Sequence, residues 1–334
     1  MEIKIIIATI VSLALGLVIG YPILLLMRRL KAGQQILSYV DAHKSKAGTP
    51  TMGGWIFIIA ISICGLSFFY KSKEVVIAVL GMISYGAIGF LDDFLKIKHK
   101  QNLGLKAYQK IIAQAGIAII LSMFCYFNGS FARSIVIPFT DLTFDIDWWI
   151  IPLTFMLFIA TTNAVNLLDG LDGLATSVSS VIFLSLAIML MIFASKLAYS
   201  GNNLESDSIY GLAGLAAITF GGLLAFLCYN GFPAKIFMGD TGSLALGGLM
   251  ASIFAFSGQI LLIFILGIML IITCVSVIIQ VIYFKLTKGK RVWLMTPLHH
   301  HYQYKGVHES KITVCYTVIT AVCGLVSIIS LIMY

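Results

Sequence analysis

Charge is scarce in this sequence. Of its 334 residues only 11% are Asp, Glu, Lys or Arg, while 60% are hydrophobic. Soluble domains carry about 25% charged residues, so an ordinary water-exposed globule is excluded. Proline is also scarce, with six residues, and no polar low-complexity stretch occurs, which leaves little room for linkers or disordered tails. No internal repeat is evident. The six cysteines, at positions 64, 125, 228, 274, 315 and 323, lack CxxC spacing, and each falls inside an apolar run. They read as small buried hydrophobes, not as disulfide partners or zinc ligands. A net charge of +8 in a polar protein would suggest nucleic acid. In so apolar a chain it reads instead as basic loops beside anionic lipid, and no nucleic-acid partner is expected.

Long hydrophobic runs are present in abundance. Ten apolar segments can be marked, at 3–27, 52–70, 75–95, 108–127, 148–167, 174–195, 209–229, 241–257, 259–284 and 311–333. A bilayer core needs about 20 apolar residues per helix. The expected fold is therefore an all-α polytopic membrane protein of ten transmembrane helices, with residues 1–334 as a single membrane domain. The first segment, Ile3 to Met27, is too long for a signal-peptide core and ends in Arg28-Arg29, so it reads as a mature helix.

Charge placement gives the orientation. The loops after odd-numbered segments hold 17 Lys and Arg, and the opposite side holds 5. The positive-inside rule then puts both termini outside and the basic loops in the cytoplasm. On the outer side, residues 134–149 alternate apolar and polar around Thr140-Asp141, which predicts a short β-hairpin. Trp148 and Trp149 would sit at the interface belt.

The acidic residues divide evenly, seven per side, in different settings. Glu2, Glu74, Asp141, Asp145, Asp147, Glu205 and Asp207 read as solvated outer charges. Asp41 and Glu309 read as ordinary inner-loop charges. Asp92, Asp93, Asp169, Asp172 and Asp240 are different: each stands where an apolar helix meets a polar or Gly-rich turn. A carboxylate at that low-dielectric boundary needs a partner or a metal. Adjacent Asp92 and Asp93 repel each other, and they follow the apolar run of a helix whose C-terminus would disfavour negative charge. Asn163 and Asn166 lie one turn apart in "NAVNLLDGLDGLA", ahead of two Asp-Gly turns. The bland alternative is helix–helix glue followed by plain turns. Asp240 precedes Thr241-Gly242-Ser243 at the start of a helix, a setting that suits phosphate, although Asp240 could simply be the helix cap. His299, His300 and His301 in "TPLHHHYQ" cannot all face one metal, so they read as imidazoles near phosphate. Carboxylates for Mg²⁺, together with amides, histidines and lysines on one side, fit phosphoryl transfer on a diphosphate.

The strings "GTPTMGG" (48–54), "DDFLK" (92–96), "NAVNLLDGLDGLA" (163–175), "FPAKIFMGDTGSL" (232–244) and "MTPLHHHYQ" (295–303) resemble those of the polyprenyl-phosphate N-acetylhexosamine-1-phosphate transferases. Within them the match is to the phospho-N-acetylmuramoyl-pentapeptide transferases of bacterial peptidoglycan synthesis. The resemblance implies transfer from UDP-N-acetylmuramoyl-pentapeptide to undecaprenyl phosphate, giving lipid I and UMP with Mg²⁺ as cofactor. It also implies a homodimer in the bacterial plasma membrane, with the active site on the cytoplasmic face. Asp92, Asp93 and Asp240 match the family's essential aspartates. Asp240 matches its metal ligand and Asp92 its proposed base. Asn166, Asp169, Asp172 and Gln280 match the nucleoside pocket, with Asn163 and Asn230 nearby. Lys46, Thr51, Lys96 and His299 to His301 match phosphate or sugar contacts. A sister transferase using UDP-N-acetylglucosamine shares this chemistry. An ion-coupled transporter is the rival of a different class. Transporters set ionisable residues near the bilayer midplane, whereas Asp93 lies about 18 residues, roughly 27 Å, along a helix from Val75.

Overall fold

A chain in lipid must satisfy its backbone polar groups internally, so apolar runs of this length have only the helix available to them. All ten runs are helical in the computed structural model, which describes residues 2–30, 48–99, 104–128, 130–140 and 142–332. The helices are α1 (Glu2–Arg29), α2 (Trp55–Phe69), α3 (Lys73–His99), α4 (Ala107–Asn128), α5 (Ile150–Leu168), α6 (Leu174–Tyr199) and α7 (Asn203–Asn230), then α8 (Gly239–Phe256), α9 (Ile263–Leu266), α10 (Ile268–Leu286), α11 (Leu298–Tyr304) and α12 (Glu309–Ile332). Eight of them are long and apolar enough to cross a membrane: α1, α3 to α7, α10 and α12. The other two expected segments are shorter as helices. α2 has 15 residues, and the 18 of α8 open on the polar turn that carries Asp240. The ninth segment is interrupted. A 3₁₀ turn at Ile260–Leu262 and the single turn of α9 precede Gly267, where α10 starts afresh. Glycine is among the poorest helix formers, so an interior Gly is a natural breaking point.

α8 is the central helix. Every residue from Thr241 to Phe256 is buried, as expected of a helix that is apolar all round. It packs on α3 and α5, while α7 lies against α1 and α6, and α12 against α6. α1, α4, α10 and α12 form the periphery, with Ile3, Ile10, Ile112, Ile120, Ile278, Phe284, Val318 and Leu325 exposed. Apolar exposure on this scale has to face lipid.

The expected hairpin is present. β1 (Ser134–Val136) pairs antiparallel with β2 (Thr143–Asp145), Ser134 opposite Asp145 and Val136 opposite Thr143. Arg133 Nε donates to Asp145 at 2.9 Å across it. Trp148 and Trp149 follow, both exposed and mutually stacked. Alternating helix directions put this hairpin at the end of the bundle opposite Asp92, Asp169 and Asp240.

Three expectations are corrected. Glu74 is buried at the start of α3, where it accepts hydrogen bonds from Asn128 Nδ2 (3.0 Å) and Ser72 Oγ (2.9 Å). It latches α3 to the end of α4 and is no solvated charge. Glu309 is likewise buried, in the first turn of α12, where negative charge is favoured by the helix dipole. The cysteines are all free, but only Cys64 and Cys125 are buried; Cys228 and Cys315 are exposed on the apolar exterior.

The α3–α8 crossing is close enough that a Cβ at Gly89 would run into the Asp240 carbonyl. On a free helix Gly→Ala gains about 1 kcal/mol, whereas overpacking costs about 1–3 kcal/mol, and here overpacking wins. Gly89→Ala should lower the thermal midpoint in detergent. Gly116→Ala on α4, where nothing lies within 4 Å, should raise it or leave it unchanged.

Candidate active site

The site is built from the end of α3 inward. α3 runs on to His99, so Asp92 and Asp93 lie two turns inside a helix and not at its C-terminus as the sequence suggested. Neighbouring residues on a helix point about 100° apart, and the two carboxylates take different work. Asp93, buried, accepts from Thr241 N at 2.9 Å and Thr241 Oγ1 at 2.7 Å, with Asp240 N at 3.3 Å. It therefore caps the N-terminus of α8 from another helix, where orphan N–H groups and the macrodipole both favour an anion. α8 has no side-chain cap of its own. The Asp240 carboxylate, spared that task, is left to face the site.

Asp240 is surrounded by cations and an amide. Its Oδ2 accepts from Lys96 Nζ at 2.8 Å and Lys110 Nζ at 2.9 Å, and its Oδ1 accepts from Asn166 Nδ2 at 2.6 Å. Asn166 also donates to Ser243 Oγ at 2.8 Å. Lys96 bridges back to Asp92 at 2.6 Å, and Leu105 N donates to the other Asp92 oxygen at 2.7 Å. Asp92, Asp93 and Asp240 offer ligand oxygens all within 4.8 Å of one another. Hard oxygen donors gathered this way fit a divalent cation of the Mg²⁺ or Ca²⁺ kind.

Thr51 joins from the stretch before α2. Gly53 N donates to Phe237 O (2.8 Å), Gly54 N to Met238 O (3.1 Å) and Phe237 N to Pro50 O (2.8 Å). These bonds lay "GTPTMGG" along "KIFMG" and bring Thr51 beside Gly239 and Asp93. Gly239 has φ +72°, a left-handed conformation that suits glycine, and a Cβ there would meet both Asp93 and Thr51.

The remaining expected residues form a second tier. Asp169 ends α5. Burial first, then the charges of Asp240, Asp93 and Asp172, raise its carboxyl from 3.8 to about 8. Asp172 accepts from Ala234 N at 2.9 Å. Asn230 takes a bond from Thr176 Oγ1 (2.7 Å) and gives one to Ile236 O (3.0 Å). Both residues thus fasten the loop before α8. Gln280 braces the loop after α10, accepting from Val292 N and Trp293 N and donating to Trp293 O at 3.0–3.1 Å. His301 Nδ1 accepts from Leu294 N in the same loop. His299, buried, and His300 abut Gly170, so the histidine helix lies on the first Asp-Gly turn. Asn163 donates to Gln114 Oε1 at 2.9 Å. Lys46 lies outside the described residues, as do Asp41 and Asp141.

Lys110 is a cation at Asp240 that none of the sequence motifs contains. It is one of the 17 basic residues that charge placement assigns to the inner side, yet it is the third residue of the apolar segment 108–127, where a lysine has to find an anion or reach water.

Such a carboxylate–lysine–amide cluster at one end of an apolar helix bundle marks an integral membrane enzyme acting on phosphate. The family model for glycosyl transferase family 4 matches residues 75–258, the span from α3 through α8. Proteins named phospho-N-acetylmuramoyl-pentapeptide-transferase are similar along nearly the whole chain. The one from Clostridium novyi (strain NT) is 41% identical over 98% of this chain and 96% of its own length. That from Clostridioides difficile (strain 630) is 40% identical over 96% and 95%, and that from Caldanaerobacter subterraneus subsp. tengcongensis 40% over 98% and 99%. The chain belongs to the phospho-N-acetylmuramoyl-pentapeptide transferase family.

A carboxyl raised from 3.8 to about 8 in the folded protein binds a proton that the unfolded chain has lost, so stability falls as pH rises through that interval. In chelator, the thermal midpoint should drop between pH 5 and pH 8 and then level. Asp169→Asn should flatten the slope, as read by thermal unfolding at stepped pH.

Proposed function

We propose that this chain transfers phospho-N-acetylmuramoyl-pentapeptide from its UDP carrier to undecaprenyl phosphate, releasing UMP and forming lipid I. The observation that carries this reading is the convergence of Asp92, Asp93 and Asp240 within 4.8 Å in a member of that family. The enzyme is read as one integral membrane catalytic domain in the bacterial plasma membrane. Its ten apolar segments span the bilayer with both termini outside, its site faces the cytoplasm, and it works as a homodimer.

The physical case begins with charge. A diphosphate breaking into UMP and a lipid-linked phosphosugar develops negative charge on the leaving oxygen, and catalysis consists mainly of neutralising that charge and aligning the partners. Mg²⁺ bound at Asp240, beside Asp92, would supply that neutralisation. Lys96 and Lys110 converge on Asp240 from α3 and α4 and are placed to steady phosphate oxygens. Asn166, Asp169, Asp172 and Gln280 form the nucleoside side of the pocket, with Asn163 and Asn230 behind them. Lys46, Thr51 and His299 to His301 serve phosphate and sugar.

Attack is direct. An oxygen of the lipid phosphate attacks the sugar-bearing β-phosphorus, its bond to the bridging oxygen breaks, and UMP departs with that electron pair. A phosphomonoester has its second pKa at about 6, so the lipid phosphate is already largely ionised at pH 7. Asp92 therefore acts more by charge placement than as a base.

Purified protein given UDP-N-acetylmuramoyl-pentapeptide and undecaprenyl phosphate should release UMP only when Mg²⁺ is present, and UDP-N-acetylglucosamine should not replace the nucleotide. Asp240→Asn should lose at least about 10³-fold in kcat, and near-normal turnover by this variant would refute the reading. Direct attack has its own test: no phosphorylated Asp240 should be recoverable after incubation with the nucleotide substrate alone.

A further inference from the structure

α4 enters the site with little to hold it. From Ala107 to Ala113 its side chains are exposed, apart from half-buried Lys110, and the first fully buried one is Gln114. Gln114 lies one turn beyond Lys110 on the same helix face, as Asn163 lies one turn before Asn166 on α5. The two helices therefore present two rungs to each other. At the upper rung Lys110 and Asn166 take the two oxygens of Asp240, at 2.9 and 2.6 Å. At the lower rung Asn163 Nδ2 donates to Gln114 Oε1 at 2.9 Å, while its second bond goes to Ile159 O at 2.8 Å. Tyr85 of α3 reaches the Gln114 carbonyl at 3.4 Å.

Stability alone does not account for this glutamine. Its Nε2 is buried and has no acceptor among the described residues, and an unmet buried amide is a cost that a leucine of similar size would avoid. We propose that Gln114 and Asn163 are a positioning pair: their hydrogen bond fixes the register of α4 against α5, so that Lys110 and Asn166 reach Asp240 together. The catalytic consequence rests on the transfer reading above. The tie itself is a matter of geometry.

Two measurements test it on the full-length protein in detergent. The first is acylation of lysines by an amine-reactive ester, read by mass spectrometry. In Gln114→Leu the labelling rate of Lys110 relative to exposed Lys106 should rise about fivefold, the weight of one buried hydrogen bond. An unchanged ratio overturns the proposal. This arm holds whether or not the wild type releases UMP, whereas a wild type that releases none defeats the transfer reading. The second is kinetic. Gln114→Leu should lower kcat about tenfold while KM for the nucleotide moves less than about twofold, since loss of alignment falls on the transition state. In a Lys110→Ala background it should cost nothing further, and a loss that multiplies that of Lys110→Ala overturns the proposal. Gln114→Asn keeps the amide but shortens its reach. Pairing it with Asn163→Gln restores the combined length and should return the Lys110 labelling ratio toward the wild-type value, and a double variant labelled no less than the single ones counts against the tie.

Discussion

The contact on which the site depends is the capping of α8 by Asp93. A helix that starts inside an apolar bundle presents N–H groups with no partner, and in that medium each would be costly. Asp93 meets this need from α3, with bonds to the backbone and hydroxyl of Thr241. The neighbouring Asp92 is thereby brought close to Asp240, the next residue along the capped turn. One ion–dipole contact thus sets the spacing of the three carboxylates. It also explains why two adjacent acids are present: Asp93 orients the helix while Asp92 faces Lys96 beside Asp240. The glycines agree with this view, since Gly89 and Gly239 sit where the α3–α8 contact leaves no room for a Cβ.

Much of the fold was legible because a bilayer imposes a coarse code. Length and hydropathy located ten helical runs, and period-two alternation located the hairpin between β1 and β2. The chemistry was partly legible for the same reason. An aspartate at the edge of an apolar run is expensive, so Asp92, Asp93, Asp169, Asp172 and Asp240 stand out, and the family strings gather them to one end.

Partnership across the sequence was not legible. Glu74 looked solvated because nothing local says that Asn128, 54 residues away, will meet it. Lys110 looked like a loop charge because its anion, Asp240, is 130 residues distant. The last turn of α3, beyond the segment end at 95, was not legible because it is basic and polar, and hydropathy ends a segment where charge begins even when the helix does not. Gln114 carried no signal at all. A glutamine nearly two turns into an apolar segment is read as tolerated polarity until Asn163 is seen opposite it.

The distribution of these contacts suggests a division of labour. Asp92, Asp93, Lys96, Lys110, Asn166 and Asp240 all stand on helices, close to the crossing of α3, α5 and α8, where packing leaves little freedom. Asn163 and Asn166 apart, the described residues proposed for the nucleoside and sugar lie in or against loops, and those loops are secured by hydrogen bonds between backbone and the side chains of Asp172, Asn230 and Gln280. A loop held by a few such bonds can adjust around a ligand at modest cost, whereas a helix crossing sealed by glycine contacts cannot. Charge neutralisation at a breaking diphosphate needs fixed dipoles and fixed charges, while a bulky peptide-bearing substrate needs an entrance that gives way. On the proposed reading the first demand falls to rigid helix ends and the second to tethered loops, and the Asn163–Gln114 rung extends the rigid part to α4, whose first two turns are mostly exposed.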